Sequence, residues 1–136
     1  MGDEKSKGME FVRDYSKAYY GVVPDHYEMM GRYLPESMAN WIALRKSVFE
    51  VPPIGAFSLR EKELICTAIE IANLKPDSTL HARLAIREGA TPKDIAEVAF
   101  ICILLGGMMT YIVSGVNALK AAEEEYEKLM KEKKGK

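Results

Sequence analysis

The stretch 58–107, SLREKELICTAIEIANLKPDSTLHARLAIREGATPKDIAEVAFICILLGG, decides the fold. Ser58 stands three residues before Glu61. In this capping-box pattern the hydroxyl accepts from an early amide and the carboxylate returns the bond. Leu59, Leu64, Ile65, Ala68, Ile69 and Ala72 then recur at helical spacing, so a helix runs from Ser58 toward Leu74. Pro76-Asp77 begins the next helix, through Arg87-Glu88, with Gly89 as its left-handed stop. Thr91-Pro92 is a cap followed by proline at the first helical position, and it opens a helix toward Leu105. Gly106-Gly107 permits a tight junction into a last helix that begins near Met108.

The flanks read the same way. In 35–50, PESMANWIALRKSVFE, proline opens a helix whose Met38, Trp41, Ile42, Arg45, Val48 and Phe49 follow helical spacing, and Pro52-Pro53 ends it. Upstream, Met9–Tyr20 and Pro24–Tyr33 make two short helices, and residues 1–8 read as disordered. At the other end, Glu124 precedes Lys128 and Glu127 precedes Lys131 by four residues. Such pairs support a solvated helix by about 0.2–0.5 kcal/mol each, and 131–136 reads as a charged tail. No alternating segment argues for a strand. The expectation is an all-α bundle of six to seven helices, one domain over 9–130.

Composition narrows the function. With 19 basic against 20 acidic residues the net charge is -1, which disfavours a nucleic-acid binder held by phosphate contacts. Cys66 and Cys102 are too few for a disulfide-framed secreted module, and the start MGDEKSKGMEF has no apolar signal region, so the expected compartment is the cytoplasm. Val98–Leu119 holds no charged side chain over 22 residues, long enough to cross a bilayer. Yet Gly106-Gly107 interrupts it, and Thr110, Tyr111, Ser114, Gly115 and Asn117 dilute its second half. The expectation is two buried helix ends contributing to a homo-oligomer's subunit contacts, with no membrane span.

The chemistry-bearing residues lie between Glu63 and His81. A carboxyl on the buried-reading helix at Glu63 loses hydration, one way to make a proton carrier. Asp77 and His81 are four apart, so on one helix they share a face, and the aspartate orients the histidine. The bland alternative makes Glu63 a surface residue, Asp77 a cap and His81 a helix-surface side chain. One imidazole with one carboxylate falls short of the three protein ligands usual at catalytic zinc, and His26 has no metal spacing around it, so neither metal nor cofactor is expected. Cys66 and Cys102 sit in apolar helical runs and read as inert core thiols, with a rearranged redox pair as the runner-up. Met29, Met30, Met108 and Met109 read as adaptable packing at an interface or apolar pocket, which Tyr111 also lines; Trp41 reads as a core or subunit contact.

Taken in order, SLREKELI at 58–65, Ile71-Ala-Asn, His81-Ala-Arg-Leu-Ala, EGATPKDIAEV at 88–98 and Gly106-Gly107 resemble the carboxymuconolactone decarboxylase superfamily, which includes the AhpD-like alkylhydroperoxidases. The resemblance covers roughly residues 10–128 and implies a compact AhpD-like helical subunit assembling into trimers or hexamers. It matches Glu63 to the family's relay glutamate and His81 to its relay histidine, with one residue fewer between them than usual. The two positions of the peroxidatic Cys-x-x-Cys pair hold Leu74 and Asp77, so the thiol machinery is missing. The decarboxylase branch places an acidic residue at the second cysteine position and a basic one near the first, which Asp77 and Lys75 suit. The resulting expectation is cofactor-free acid–base chemistry on a small carboxylate substrate. His81 is acid or base, Asp77 orients it, Glu63 is a second proton carrier and Lys75 is an anion contact. The alternatives are an alkylhydroperoxidase-type antioxidant and a non-catalytic oligomeric scaffold.

Overall fold

The computed structural model describes residues 2–136, and Met1 lies outside them. The described chain is all-helical, with seven α-helices, one π-helical turn and no strand among the described residues. It divides into two compact units, Met1–Glu50 and Val51–Lys136, within the stretch read as one domain.

The first unit holds α1 (Gly2–Tyr20), α2 (Asp25–Tyr33) and α3 (Pro35–Val48). The helix α1 starts at Gly2, inside the stretch 1–8 that the sequence reads as disordered. No proline interrupts this segment, and a helix anchored by buried Met9 and Val12 propagates toward the N-terminus at one bond per residue fixed. Met9, Val12, Met38 and Ile42 form the core of this unit. Arg45 follows the same helical stripe because aromatic rings receive it: its guanidinium lies 4.4 Å from the Tyr19 ring and 4.0 Å from that of Phe49. Arg45 Nη1 also donates to Tyr15 Oη at 2.7 Å, so α1 and α3 are joined by a cation among rings as well as by apolar contact. Trp41, by contrast, is exposed.

The second unit holds α4 (Leu59–Ala72), α5 (Leu80–Arg87), α6 (Pro92–Gly106), the π-turn (Tyr111–Gly115) and α7 (Val116–Lys134). The capping box at Ser58 forms, and the Thr91 cap proves to be a second one, closed by Asp94. Ser58 N–H donates to Glu61 Oε2 at 2.8 Å, and Thr91 N–H donates to Asp94 Oδ2 at 2.7 Å. Arg60 meets Asp94 at 2.9 Å, tying the start of α6 to that of α4. Gly89 takes φ +96° after α5, and Gly107 takes φ 91°, ψ 165°, a region open essentially to glycine alone. Gly107 cuts the uncharged stretch in two, and no described helix is long and apolar enough to cross a membrane. The tail read at 131–136 is helical through Lys134.

Ile71, Ala82, Ile86, Ile95, Ala99 and Ala118 form the centre of this unit's core. Charges reinforce the packing of α5 on α7. Arg87 Nε donates to Glu125 Oε1 at 2.7 Å, and Arg83 reaches Glu124 at 2.9 Å. Burial alone would raise the Glu125 carboxyl; the Arg87 hydrogen bond and the charges of Arg87, Lys128 and Arg83 outweigh it and hold the group below its ordinary range.

One helix boundary differs from the sequence expectation. The helix carrying His81 begins at Leu80, not at Pro76-Asp77. Leu74, at φ 58°, closes α4: its N–H donates to Ile71 O at 3.0 Å, and Lys75 N–H donates to Glu70 O at 3.1 Å. These two bonds make a Schellman motif with leucine where glycine is usual. Residues 76–79 are then held as a turn from outside. Ser78 Oγ lies 2.7 Å from Ser114 Oγ, both fully buried, and Asn117 Nδ2 donates to Pro76 O at 3.0 Å. Tertiary hydrogen bonds to the π-turn and α7 override the local helical pattern.

Candidate active site

Glu63, Cys66, Thr67 and Glu70 occupy positions i, i+3, i+4 and i+7 of α4, one face over two turns. The early residues of α5 face that stripe. His81 Nδ1 lies 2.6 Å from Glu63 Oε2, and its Nε2 lies 3.5 Å from Glu70 Oε1. Glu63 is fully buried, while the imidazole keeps 18% of its side-chain surface in solvent. The ring thus carries a carboxylate at each nitrogen and stays reachable at its edge. Thr67 Oγ1 donates to the Glu63 carbonyl at 2.8 Å, satisfying its own hydroxyl within the helix.

Burial raises the Glu70 carboxyl, reinforced by the Glu63 charge and opposed by His81 and Lys75. Lys75 is exposed, but the Schellman turn brings it back over the end of α4, within electrostatic reach of Glu70. Cys66 Sγ, a Glu63 carboxylate oxygen and a His81 ring nitrogen all lie within 4.8 Å of one another.

Of the residues singled out from sequence, Glu63 and His81 meet, and Lys75 lies near them across Glu70. Asp77 does not orient His81. It is exposed in the 76–79 turn, where its carbonyl accepts from Thr79 N–H at 2.7 Å, and the carboxylates at the ring belong to Glu63 and Glu70. A four-residue spacing aligns side chains only when all four residues are helical, and α5 starts too late for that. The sequence reading passes over Glu70 and takes Cys66 for an inert core thiol, whereas the structure groups both with His81. Their signal is a polar stripe at 63, 66, 67 and 70 in a helix whose other residues from Leu64 onward are apolar.

The two thiols differ. Cys102 is buried in the core, donates to Ala68 O at 3.5 Å, and is pushed up by burial, as an inert thiol requires. Cys66 is half-buried and belongs to the histidine cluster instead. Elsewhere in this unit, an apolar cleft of about 320 Å³ is lined by Phe100, Ile103, Met108, Tyr111 and Leu119, among others.

Residues 35–124 match the model of the carboxymuconolactone decarboxylase family. The chain belongs to this family. Its fold is similar to the crystal structure of a candidate carboxymuconolactone decarboxylase from Burkholderia xenovorans LB400, with a TM-score of 0.84 over 94% of this chain and 98% of that one. At 20% identity that likeness is one of fold. No curated protein sequence matches this chain. Leu74 and Asp77, the two residues that the resemblance sets against the peroxidatic cysteines, both have exposed side chains in this carboxymuconolactone decarboxylase family member.

Proposed function

We propose that this carboxymuconolactone decarboxylase family member performs acid–base chemistry on a small carboxylate-bearing molecule, as a decarboxylation or a lactone- or isomerase-type proton transfer. The observation supporting this reading is the His81 ring between Glu63 and Glu70. A ring placed so exchanges a proton at one nitrogen while the other remains held, so its orientation survives the transfer. His81 supplies or removes the proton at substrate carbon. Glu63, shielded from water, fixes the ring and takes up or returns the compensating proton. Lys75, at the exposed end of α4, receives the substrate carboxylate. Asp77 leaves this scheme as an orienter and remains an exposed charge on the turn.

The working assembly in this reading is a homo-oligomer, a trimer or hexamer, without nucleic-acid or membrane partners. Phe100, Ile101, Leu104, Leu105, Met109 and Ile112 are all more than half exposed, an apolar surface of the kind that marks an interface. A scaffold without chemistry gives no reason to bury Glu63 completely against an imidazole.

The test is turnover of carboxymuconolactone and related small lactone acids by chelator-treated protein, followed by carbon dioxide release and ultraviolet absorbance. His81→Gln is expected to lower the rate by about 10²- to 10⁴-fold, the usual contribution of a positioned proton carrier. Lys75→Ala is expected to raise KM more than it lowers kcat. Turnover that survives His81→Gln overturns the acid–base assignment, and a folded wild type inert toward all these acids favours the scaffold.

A further inference from the structure

We propose that Glu63, Cys66 and His81 form a binding site for one divalent cation that accepts sulfur, zinc foremost. The sequence offers only one imidazole with one carboxylate, below the usual ligand count; folding changes the set. Glu63 and Cys66 sit one helical turn apart on α4, and His81 enters from α5, bringing carboxylate oxygen, thiol sulfur and ring nitrogen within 4.8 Å of one another. Tetrahedral zinc with bonds of about 2.0 Å to nitrogen and oxygen and about 2.3 Å to sulfur separates its ligand atoms by roughly 3.3–3.6 Å. The shortest separation here, 2.6 Å between Glu63 and His81, has to open by about 0.7 Å to reach that spacing.

Charge supports the same assignment. A thiolate, a carboxylate and a neutral imidazole carry two negative charges, which a divalent cation cancels in a site where Glu63 has no contact with solvent. One sulfur and one nitrogen donor favour zinc or cobalt over magnesium or calcium, which prefer all-oxygen sets. An outer partner is also in place. Metal-bound histidine almost always has its second nitrogen held by a carboxylate or carbonyl, and here each ring nitrogen faces a glutamate, Glu63 at 2.6 Å and Glu70 at 3.5 Å. The partly exposed ring edge leaves a fourth position for water or an anionic ligand. This goes beyond the proton-carrier reading and describes a different state of the same residues: a metal on His81 and Glu63 engages the lone pairs that proton transfer uses, so the metal-loaded chain is expected to be inactive and the metal-free chain active.

The experiment titrates chelator-treated full-length chain with Co²⁺ and reads the absorption spectrum, then displaces the cobalt with Zn²⁺. The expected result is one cobalt per chain, tetrahedral visible bands and a near-ultraviolet thiolate-to-cobalt charge-transfer band. Cys66→Ser is expected to remove that band, and Glu70→Gln to weaken binding by about 10- to 100-fold, as loss of an outer partner does. Cys102→Ser is expected to change neither. Zinc X-ray absorption on the wild type, showing one sulfur in the shell, covers the case in which Cys66→Ser fails to fold. Absence of stoichiometric cobalt, an octahedral all-oxygen spectrum, or a sulfur band that persists in Cys66→Ser overturns the site. Spectra read this proposal and turnover of metal-free protein reads the other, so either can fail alone.

Discussion

Truncating His81 to alanine in metal-free protein tests the geometry of the site through stability. The ring lies 2.6 Å from a carboxylate with no exposed surface, so its loss leaves Glu63 buried without its imidazole partner. Leaving a fully buried carboxyl without its hydrogen-bond partner costs up to about 3 kcal/mol. At ordinary unfolding entropies per residue, that loss lowers Tm by roughly 10 °C for a chain of this length. Glu63→Gln keeps the shape and replaces the carboxyl by a neutral amide. The double variant His81→Ala/Glu63→Gln is therefore expected to lose less than the sum of the singles, with a coupling of about 2 kcal/mol. Urea unfolding at neutral pH, followed by circular dichroism with chelator present, closes this cycle. Asp77→Asn is the control and is expected to change stability by less than about 0.5 kcal/mol, as an exposed position does. Additivity of the two site substitutions within about 0.5 kcal/mol would refute a direct contact between Glu63 and His81. A large loss in Asp77→Asn would return the aspartate to the site.

Three further outcomes follow from particular contacts. Glu125→Gln is expected to cost about 2 kcal/mol at neutral pH, the scale of a charge-assisted bond partly screened at Arg87. Because the folded Glu125 carboxyl ionises below its ordinary range, its stabilisation is present above the unfolded value and disappears as pH falls through the folded one. Urea midpoints of wild type and Glu125→Gln are thus expected to converge in acid, and a pH-independent gap counts against the ion pair. Leu74→Gly is expected to stabilise the chain by about 1 kcal/mol, because glycine adopts φ 58° without the Cβ penalty; a lower thermal midpoint would show that the leucine side chain contributes more than its backbone costs. Leu104→Glu with Leu105→Glu is expected to dissociate the proposed homo-oligomer, read by light scattering, and an unchanged mass removes this apolar face from the interface.

The helices were legible wherever their signals are local. Ser58 with Glu61, and Thr91 before Pro92, are signals carried by neighbouring residues, and both caps form as read; the structure adds Asp94 as the return partner of Thr91. Gly89 and Gly107 likewise report a backbone angle that other residues resist. The start of α5 was not legible, because Ser78 and Asn117 fix it by bonds to partners some forty residues distant in sequence. That error carried Asp77 into the site on a spacing that exists only in a helix. Cys66 was lost for a different reason. It stands in the mostly apolar run Leu64–Ile69, and only a view down the α4 axis groups it with Glu63 and Glu70.

The π-turn at Tyr111–Gly115 sets the rotational phase of everything after it. Ser114 and Asn117 point at the 76–79 turn, while Ala118, Ala121, Ala122 and Glu125 point at α5 or are buried beside it, so one helix serves two neighbours from one flank. Such a turn accommodates one residue more than an α-helix would in the same rise. Winding the same five residues as a regular α-helix would swing one side of the join by about 100° relative to the other. Either Ser114 would leave Ser78 or Glu125 would leave Arg87; the helix could not satisfy both. The bulge therefore works as a gearing element, meshing the turn that aims His81 with the ion pair that anchors the far end of its helix.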